Sequence, residues 1–440
     1  MRKPILAKVL LLIAAIALSC AASGSLRSPA PPRTAFLYAD LSARDRLENF
    51  ETAWKAIRDN YYDPAMNGVN WDKVHDQYLL LVAAVRSDQE FYDLMERMAG
   101  ELHDAHTHVL SPEQAENFRQ HEHVSLGFGV QTIDGRVVVT RVVAESEAAR
   151  AGIAPGMMLE SIDGKPLAQK LREMAEEFRE SSSDRATPRV RIGHALLGEP
   201  GTSVKVGFER ADGSHFEVML KRALEPVTAD VSARLLPSGN AYISFRVFYP
   251  PAAQDFKKAV LQFHNAPGLI IDLRQNPGGS SEQLLSIAGN FFSDRTQLGI
   301  GQTRERVALP FYAIVDKKQI PYTGPVVVLV GEQSSSSSEL FTAGMQAAGR
   351  VKVVGTRTCG CVLGTNRSVN LKGGGQVMIS RIMWSTPAGK KLEGEGVIPD
   401  RLVPLTLEDI RSGRDAALEE AVRLLKETAP ATSAEKANQQ

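Results

Sequence analysis

The chain has 440 residues, which is enough for two or three domains with sizeable cores. Its 51 basic and 51 acidic residues cancel, and hydrophobic residues make up 43 % of the chain. This balance is typical of an ordinary globular protein and excludes any compositional argument for a nucleic-acid partner.

The first twenty residues have the pattern of an export signal. A basic start at residues 2–3 precedes an apolar run at 9–18 that is too short to span a bilayer, and small residues follow it. Leu18-Ser19-Cys20 resembles a bacterial lipobox, so we expect cleavage before Cys20 and lipid attachment to it. Simple secretion after Ala21 is the alternative. Either outcome exports the protein to the periplasm or cell envelope, and cleavage before Cys20 would add the lipid as its membrane anchor.

A tether and a helical region come next. Residues 21–42 are rich in Ser, Pro and Ala, which is typical of a flexible linker. From 43 to 118 the pattern is helical, because Phe50, Trp54, Ile57 and Tyr61 recur at helical spacing.

A loop at 102–108 interrupts this helical region. It contains three histidines and an aspartate, namely His103, Asp104, His106 and His108. Metal binding is one interpretation, but no nearby motif supplies a further ligand at a recognised spacing. A solvated structural cluster is a second interpretation. We therefore predict neither a metal nor another cofactor.

Residues 121–224 change to short strands and glycine turns, typical of a mostly-β domain. The segments 125–130, 136–143 and 148–164 together resemble a PDZ domain. That resemblance implies a role for four residues, since they match the loop whose backbone N–H groups capture a peptide's terminal carboxylate: Leu126, Gly127, Phe128 and Gly129. A polar helical insertion at about 165–191 has no assigned role, and a closing segment begins at Leu196.

Strands alternate with helices from 225 to 428, which predicts an α/β core with a mixed, largely parallel sheet. The predicted strands lie at 241–245, 268–273 and 326–330, and helices at 281–292 and 339–348. A final amphipathic helix is predicted from Leu407 to about Thr428, and residues 429–440 have the composition of a disordered tail.

Two loops of this core have the pattern of a reactive site. Five consecutive serines, residues 334–338, lie between a strand and a helix, where unpaired N–H groups and the helix dipole favour an oxyanion. A Ser-rich N-cap is the alternative. The loop 272–280 follows a neighbouring strand, and Gly278 and Gly279 leave its backbone approachable, unless they form only a tight turn. Both loops are expected at the carboxyl edge of the sheet.

The order of these motifs resembles the C-terminal processing peptidase family, which includes tail-specific proteases and tricorn-like relatives. The resemblance extends from the helical region to Leu424 and includes the PDZ-like insert, both loops and the segment 393–400. It implies a serine endopeptidase with Ser336 as nucleophile. The oxyanion donors would be the N–H groups of Ser337 and of Gly278 or Gly279. Because five serines blur the register, weaker candidates remain: Ser334, Ser335 and Ser338.

The catalytic base departs from the commonest family pattern. Many members use a lysine after this helix, but Cys361 occupies its position, and the lysine's polar partner falls on Thr365. A thiol with a pKa near 8.5 is a poor replacement. The tricorn-like branch uses a histidine instead. Its loop matches His106 and its orienting carboxylate matches Glu393, which implies a Ser336–His106–Glu393 arrangement.

The resemblance also implies the partners. The PDZ-like domain would capture C-terminal tails of proteins or peptides, and the core would hydrolyse them. The rival interpretation is a pseudo-protease that binds peptide tails without cleaving them, because the family's lysine is missing.

Cys359 and Cys361 flank one glycine near the predicted pocket. A disulfide between them would close a very small, strained ring, so we expect two small apolar fillers and no disulfide. A thiol that is sensitive to oxidation beside the nucleophile is the alternative.

Overall fold

The computed structural model describes residues 40–177, 183, 186–365 and 367–428. The predictions for the export signal, for Cys20 and for the tail at 429–440 fall outside the described residues, as does most of the tether. Residues from Asp40 onward form one compact unit. Within the described part of the chain, no helix is both long enough and apolar enough to cross a membrane.

The N-terminal region is helical and ends in a strand that joins the rest of the molecule. It contains α1 (Ala43–Asn60), α2 (Trp71–Val82), α3 (Asp88–Gly100), β1 (His108–Leu110) and α4 (Pro112–Arg119). Side-chain oxygens cap the starts of the first three helices, as Ser42 does by accepting the Asp45 N–H. The helical periodicity corresponds to a buried stripe that includes Phe50, Ile57 and Tyr61. Strand β1 is a departure from the all-helical expectation.

The next region is mostly β. It contains β2 (Glu122–Ser125), β3 (Phe128–Ile133), β4 (Arg136–Val142), α5 (Glu147–Arg150), β5 (Met158–Ile162), β6 (Lys165–Pro166), α6 (Leu167–Glu177), α7 (Ala186–Leu196), β7 (Ser203–Glu209), β8 (His215–Lys221) and β9 (Ala223–Pro226). Its main sheet has the antiparallel order β3-β4-β5-β7-β8, so β3 lies at an edge. The strands that enter and leave the region, β2 and β9, pair with each other.

The insertion predicted at 165–191 is two helices, and the second extends beyond the predicted end. Helix α7 continues to Leu196, where the sequence indicated the start of a closing segment. It packs on the sheet through Ile192, Ala195 and Leu196, which share a core with β3 and β7. The apolar spacing of these three residues was assigned to the wrong element.

The C-terminal region is the α/β core. It contains β10 (Val231–Leu235), β11 (Ala241–Phe245), α8 (Ala252–Gln262), β12 (Leu269–Asp272), α9 (Ser281–Ala288), β13 (Gln297–Thr303), β14 (Ala308–Tyr312), β15 (Val326–Val330), α10 (Ser337–Ala347), β16 (Lys352–Gly355), β17 (Ser368–Asn370), β18 (Gln376–Met378), β19 (Ile382–Ser385), β20 (Arg401–Leu402), α11 (Leu407–Ser412) and α12 (Ala416–Thr428).

The central sheet confirms the predicted α/β class. Its order is β10-β11-β12-β15-β16-β20, and every neighbouring pair except β10 with β11 is parallel. Strand β15 is buried at all five residues, as expected for a strand covered on both faces. The single final helix was wrong, because the chain breaks at Gly413, which ends α11 in the left-handed conformation with φ 70°.

The register of the sheet brings the two predicted loops together. Strands β12 and β15 are parallel neighbours with Asp272 opposite Leu329, so the chain leaves both strands at the same edge. Strand β1 pairs with β18 and thereby fastens the histidine loop to the core. The sequence segments 102–108, 272–280 and 331–338 therefore belong to one rigid framework.

Candidate active site

The five serines differ in what their hydroxyl groups do. Four are buried and donate to oxygen atoms of the neighbouring loop: Ser334 to Leu273 O, Ser335 to Pro277 O, Ser337 to Gly279 O and Ser338 to Asn276 O, at 2.7, 2.9, 2.7 and 2.7 Å. Ser336 is only half-buried, and its hydroxyl donates to no acceptor in the described part of the chain. Ser336 is therefore the serine of this run with a hydroxyl available for chemistry.

The backbone of Ser336 is also unusual. It has φ 53° and ψ −120°, a combination that residues other than glycine rarely adopt. Such strain occurs where surrounding contacts impose it, and a sharp strand-to-helix turn is the usual setting of a nucleophilic serine. Here the Ser336 N–H donates to Cys361 O at 2.8 Å and to Glu339 Oε2 at 3.1 Å.

Glu339 fastens the serine turn to the loop that carries the cysteines. Its carboxylate is fully buried and accepts hydrogen bonds from Ser336 N–H, from the Thr358 hydroxyl at 2.5 Å, from Gly360 N–H at 2.7 Å and from Cys361 N–H at 3.0 Å. Burial raises the pKa of Glu339, and the four donors oppose that rise. The sequence analysis missed this role, although a glutamate three residues after a turn serine is the pattern of a capping box.

The glycine loop 272–280, predicted to supply oxyanion donors, lies directly against Ser336. A side chain at Gly278 would place Cβ 2.7 Å from Ser336 Cβ and 2.8 Å from Ser337 N, so only glycine fits there. The Gly278 N–H is already committed, because it donates to Asn276 Oδ1 at 2.9 Å. The N–H groups of Gly279 and Ser337 have no acceptor among the described residues. Of the two glycines considered, Gly279 therefore has the uncommitted donor.

Asn276 joins the two loops, and the sequence analysis missed it. The side chain is completely buried, donates to Phe245 O at 3.1 Å and accepts from Gly278 N–H and from the Ser338 hydroxyl. Its main-chain oxygen accepts from Ser335 N–H and Ser338 Oγ. A polar residue after a buried strand is the only signal in the sequence, and it does not identify the partners.

Asp104 holds the histidine loop in shape. It is buried and accepts from His106 N–H at 2.6 Å, from Thr107 N–H at 2.8 Å, from the Thr107 hydroxyl at 2.7 Å and from the Ser380 hydroxyl at 2.9 Å. Because Ser380 follows β18, these bonds fix the loop to the core. The sequence analysis considered Asp104 only as a metal ligand.

The predicted base, His106, is half-buried, and its Nδ1 has no hydrogen-bond partner. Burial lowers its pKa to about 4, although Asp104 opposes the change. The ring is therefore neutral at pH 7, as a base requires. The preceding residue, Ala105, packs against a cluster of Ala186, Cys359 and Cys361, and the Cys361 carbonyl oxygen accepts the Ser336 N–H. Among the described residues, His106 is not hydrogen-bonded to Ser336 through Nδ1.

The other two histidines of the loop occupy different environments. His103 is exposed, whereas His108 Nδ1 lies 2.6 Å from Glu96 Oε1 and His108 Nε2 lies 3.0 Å from Ala105 O. Burial disfavours the His108 imidazolium, but the Glu96 carboxylate outweighs it and raises the pKa of His108 to about 9. No group of three His, Cys, Asp or Glu side chains in the described ranges has the geometry of a metal site.

Glu393 binds the chain that follows the second cysteine. Its Oε2 accepts from Val362 N–H at 2.7 Å and from Leu363 N–H at 3.1 Å. Because Nδ1 of His106 has no partner, Glu393 does not orient the ring through that atom. Glu393 instead holds the segment next to Cys361.

The expectation of two unpaired cysteines was wrong, since Cys359 and Cys361 form a disulfide. Gly360 between them has φ 76°, which allows a turn that brings both side chains to the same side. Both cysteines are buried, as expected, and Cys361 has no thiol to serve as a base. Helix α7 and the residue Ser183 before it adjoin this pair: the Ser183 hydroxyl donates to Cys359 O at 2.7 Å, and Arg189 of α7 contacts Cys359 Sγ at 3.3 Å.

A groove of about 740 Å³ extends from the loop at Leu126 to the serine turn, where Glu332 and Gln333 line it. One wall is the edge strand β3 with Leu126 and Phe128, and the other is helix α7. Its far end reaches Pro277 and Gln333, and Gln333 Nε2 lies 3.4 Å from Val130 O on β3. Gly127 has φ 77°, which suits the turn before β3. The predicted peptide-binding loop and the predicted oxyanion loop thus border one cavity.

Comparison with protein families matches two segments. Residues 239–403 match the model of peptidase family S41, and residues 42–100 match the tricorn protease C1 domain. The first match contains Gly278, Gly279, Ser336 and Glu393. The second covers α1 to α3 and ends just before the histidine loop.

Curated relatives carry peptidase names. The chain is 28 % identical over 407 residues to a protein named as a tricorn protease homolog of Streptomyces coelicolor, covering 87 % of this chain and 32 % of that protein. It is 28 % identical over 368 residues to carboxyl-terminal-processing peptidase 3, chloroplastic, of Arabidopsis thaliana, covering 79 % and 67 %. The chain therefore spans about a third of the first relative's length and two thirds of the second's.

Solved structures share the fold. The photosystem II D1 C-terminal processing protease aligns with a TM-score of 0.58 and 23 % identity, covering 87 % of this chain and 98 % of that one. Mature CPAF complexed with lactacystin aligns with a TM-score of 0.67 and 16 % identity, covering 87 % and 98 %.

Proposed function

Because residues 239–403 match the model of peptidase family S41, we propose that this protein is a serine endopeptidase with Ser336 as its nucleophile. The observation that carries the proposal is the hydroxyl of Ser336. It is the one in the run of five that is left without an acceptor in the described part of the chain, on a strained turn beside a glycine loop.

The chemistry is acyl transfer. Ser336 Oγ attacks the carbonyl carbon of the scissile peptide bond while the neutral His106 ring takes the hydroxyl proton. The N–H groups of Gly279 and Ser337 receive the oxyanion, and His106 then gives the proton to the leaving amine. Water attacks the acyl-enzyme in the second half of the cycle, again with His106 as base. Asp104, near the ring, favours the imidazolium that forms at each transfer.

His106 reaches Ser336 when substrate is bound. Catalytic hydrogen bonds are often long before substrate binds and shorten in the complex. The unpartnered Nδ1 and the contact of Ala105 with the Cys361 loop support this role. Glu339 and Glu393 are positioning residues, since both bind backbone N–H groups of the segment 360–363.

The groove binds the substrate. An extended tail adds to the open edge of β3, with its terminal carboxylate on the loop of Leu126 to Gly129. From the N-terminal sequence pattern we also propose that the protein is exported and is anchored by a lipid on Cys20. Metabolic labelling with a radioactive fatty acid tests that point: label on the wild type and none on Cys20→Ser is expected, and label on neither contradicts the anchor.

The experiment uses the chain without its predicted signal, residues 1–20. Cleavage of an unfolded protein substrate is followed by mass spectrometry for the wild type, Ser336→Ala and His106→Ala. Matched controls are Ser293→Ala and His215→Ala, which remove an exposed serine and an exposed histidine elsewhere. Loss of cleavage in the first two variants, with both controls active, is the expected result.

The rival function is capture of tails without cleavage. No cleavage by the wild type, together with binding of peptide tails, would establish the pseudo-protease. Loss of cleavage in Ser336→Ala alone would show that another group serves as the base.

A further inference from the structure

Two arginines that line the groove have no ion-pair partner. Arg141 lies on β4 and its side chain crosses Gly129, so that a Cβ on that glycine would be 3.8 Å from Arg141 Nε. Arg246 follows β11 and lines the same cavity. Neither guanidinium makes a hydrogen bond or an ion pair within 4.0 Å of a described residue, although the Glu225 carboxylate is near enough to attract Arg141. Arginine side chains without an ion pair are usually exposed, whereas Arg141 is half-buried.

The charges around the groove have one dominant sign. Its lining contains three arginines, Arg141, Arg189 and Arg246, against a single carboxylate, Glu332. Arg189 is already engaged, because it contacts Cys359 and lies near Glu332 and Glu339. The other two are near each other: burial lowers the pKa of Arg141, the like charge of Arg246 lowers it further, and Glu225 opposes both. An anion between the two guanidinium groups would relieve this repulsion.

Arg141 lies beside the edge strand on which a peptide would be added, and Arg246 lines the same cavity. Arg141 is opposite Gly129 in the register of β3 and β4, at the beginning of the edge strand. A peptide on this edge therefore passes Arg141 within its last few residues. Its terminal carboxylate is taken by the backbone N–H groups of the Leu126 to Gly129 loop, as the proposed function has it. The guanidinium groups then remain for a second carboxylate.

We propose that Arg141 and Arg246 form a subsite for an aspartate or glutamate side chain near the C-terminus of the substrate. The ligand is thus an acidic peptide tail. Paired guanidinium groups suit a carboxylate because they offer several fixed N–H donors to its two oxygens. This inference rests on the proposed capture of tails by the groove, and it adds a preference for acidic residues.

The test measures binding and not cleavage. The chain without residues 1–20, carrying Ser336→Ala, is titrated into fluorescent peptides that differ only in Asp against Asn within the last four residues. Each peptide is made with a free and with an amidated C-terminus. We expect the Asp peptide to bind about tenfold more tightly than the Asn peptide, the size of a charge-assisted hydrogen bond. The preference should fall as salt is raised.

Variants assign the preference to the two arginines. Arg141→Gln and Arg246→Gln should each remove most of the difference between Asp and Asn peptides. Arg141→Lys should keep part of it, because the charge remains. Arg150→Gln is the matched control, since Arg150 is an exposed arginine of the same domain outside the groove. Thermal unfolding of each variant shows that the fold is intact.

Three outcomes would overturn the subsite. The first is equal binding of Asp and Asn peptides by the wild type. The second concerns the arginine variants. If they lose the preference for a free over an amidated terminus but keep the preference for Asp over Asn, the arginines bind the terminal carboxylate. The third is binding of no peptide at all, which would also remove tail capture, whereas the first two leave tail capture in place.

Discussion

The serine turn lies at one end of the groove, but the two regions differ in how far their polar groups are paired. At the turn, Asn276 and Glu339 are completely buried, and each binds several partners. In the groove, Arg141 and Arg246 have no hydrogen-bond partner and no close ion pair among the described residues. A site for bond cleavage must be preorganised, because any reorganisation adds to the barrier. A site for recognition leaves groups unpaired that the substrate completes.

The largest expected effect is at Ser336, the proposed nucleophile. Ser336→Ala should lower kcat/KM by about 10⁴-fold to 10⁶-fold, because the acyl-enzyme can no longer form. The melting temperature should change little, since the hydroxyl donates to nothing in the described structure. Peptidase assays and thermal unfolding check both statements. Residual cleavage at a few per cent of the wild-type rate would mean that another serine is the nucleophile.

The second effect tests whether the hydrogen bonds of Glu339 hold the serine turn in its active geometry. Glu339→Gln keeps the size but removes the charge and one acceptor, so donors from Thr358, Gly360 or Cys361 lose their partner. We expect kcat to fall about 10-fold to 100-fold and the free energy of unfolding to fall by about 1–3 kcal/mol. Urea denaturation and steady-state kinetics measure the two losses. A change in KM alone would contradict a positioning role.

The third effect is on the pH dependence of cleavage. The pKa of His106 is lowered to about 4, so the ring stays neutral down to that pH and charges only below it. The acid limb of kcat/KM should therefore fall near pH 4 and not near 6.5, the ordinary value for histidine. A profile recorded from pH 3.5 to 8 checks this. An acid limb near 6.5 would mean that the base is another group or that substrate changes the surroundings of His106.

A fourth, smaller effect concerns the His108–Glu96 pair, which lies beside the site. The pKa of His108 is raised to about 9 in the folded protein, so its stabilisation is complete below pH 6.5 and is lost as the pH rises through 9. The pKa of Glu96 is lowered, so its contribution is present above its ordinary value and is lost in acid. Glu96→Gln should cost about 1 kcal/mol at pH 6 after solvent screening, and less at pH 10. Equal losses at both pH values would contradict a charged pair.

The smallest effect on stability is expected in the groove. Arg246→Gln should change the free energy of unfolding by less than about 0.5 kcal/mol, because the side chain is exposed and makes no bond with the described residues. Denaturation of this variant beside Glu339→Gln compares the two regions directly. A similar loss in both would remove the distinction between a rigid turn and an open groove.

The sequence predicted the fold class well, because the parallel sheet follows from strands and helices that alternate locally. Strand β15 is an uninterrupted apolar run, and its burial could be predicted from that run alone. The final helix was predicted as continuous because Gly413 is one residue in a strong amphipathic pattern. Helix α7 was divided wrongly because its apolar residues contact β3 and β7, which its own spacing does not reveal.

The candidate site was predicted in part. The resemblance of motifs identified Ser336, Gly278 and Gly279 as residues of one site, and the structure places these two glycines and the serine turn side by side. It missed Asn276 and Asp104 because their importance lies in partners that are distant in sequence. Asn276 meets Ser338 across 62 residues, and Asp104 meets Ser380 across 276.

The sequence by itself determined the alternation of strands and helices in the core, the two loops at one edge of the sheet and the short list of candidate serines. These features depend on local spacing and on residue type. Only the tertiary structure decided which hydroxyl stays free, that Gly278 commits its N–H to Asn276, that the cysteines pair, and that Arg141 and Arg246 share a groove. Each of these depends on which groups meet in space, because the partner of a polar group can be far away in the sequence.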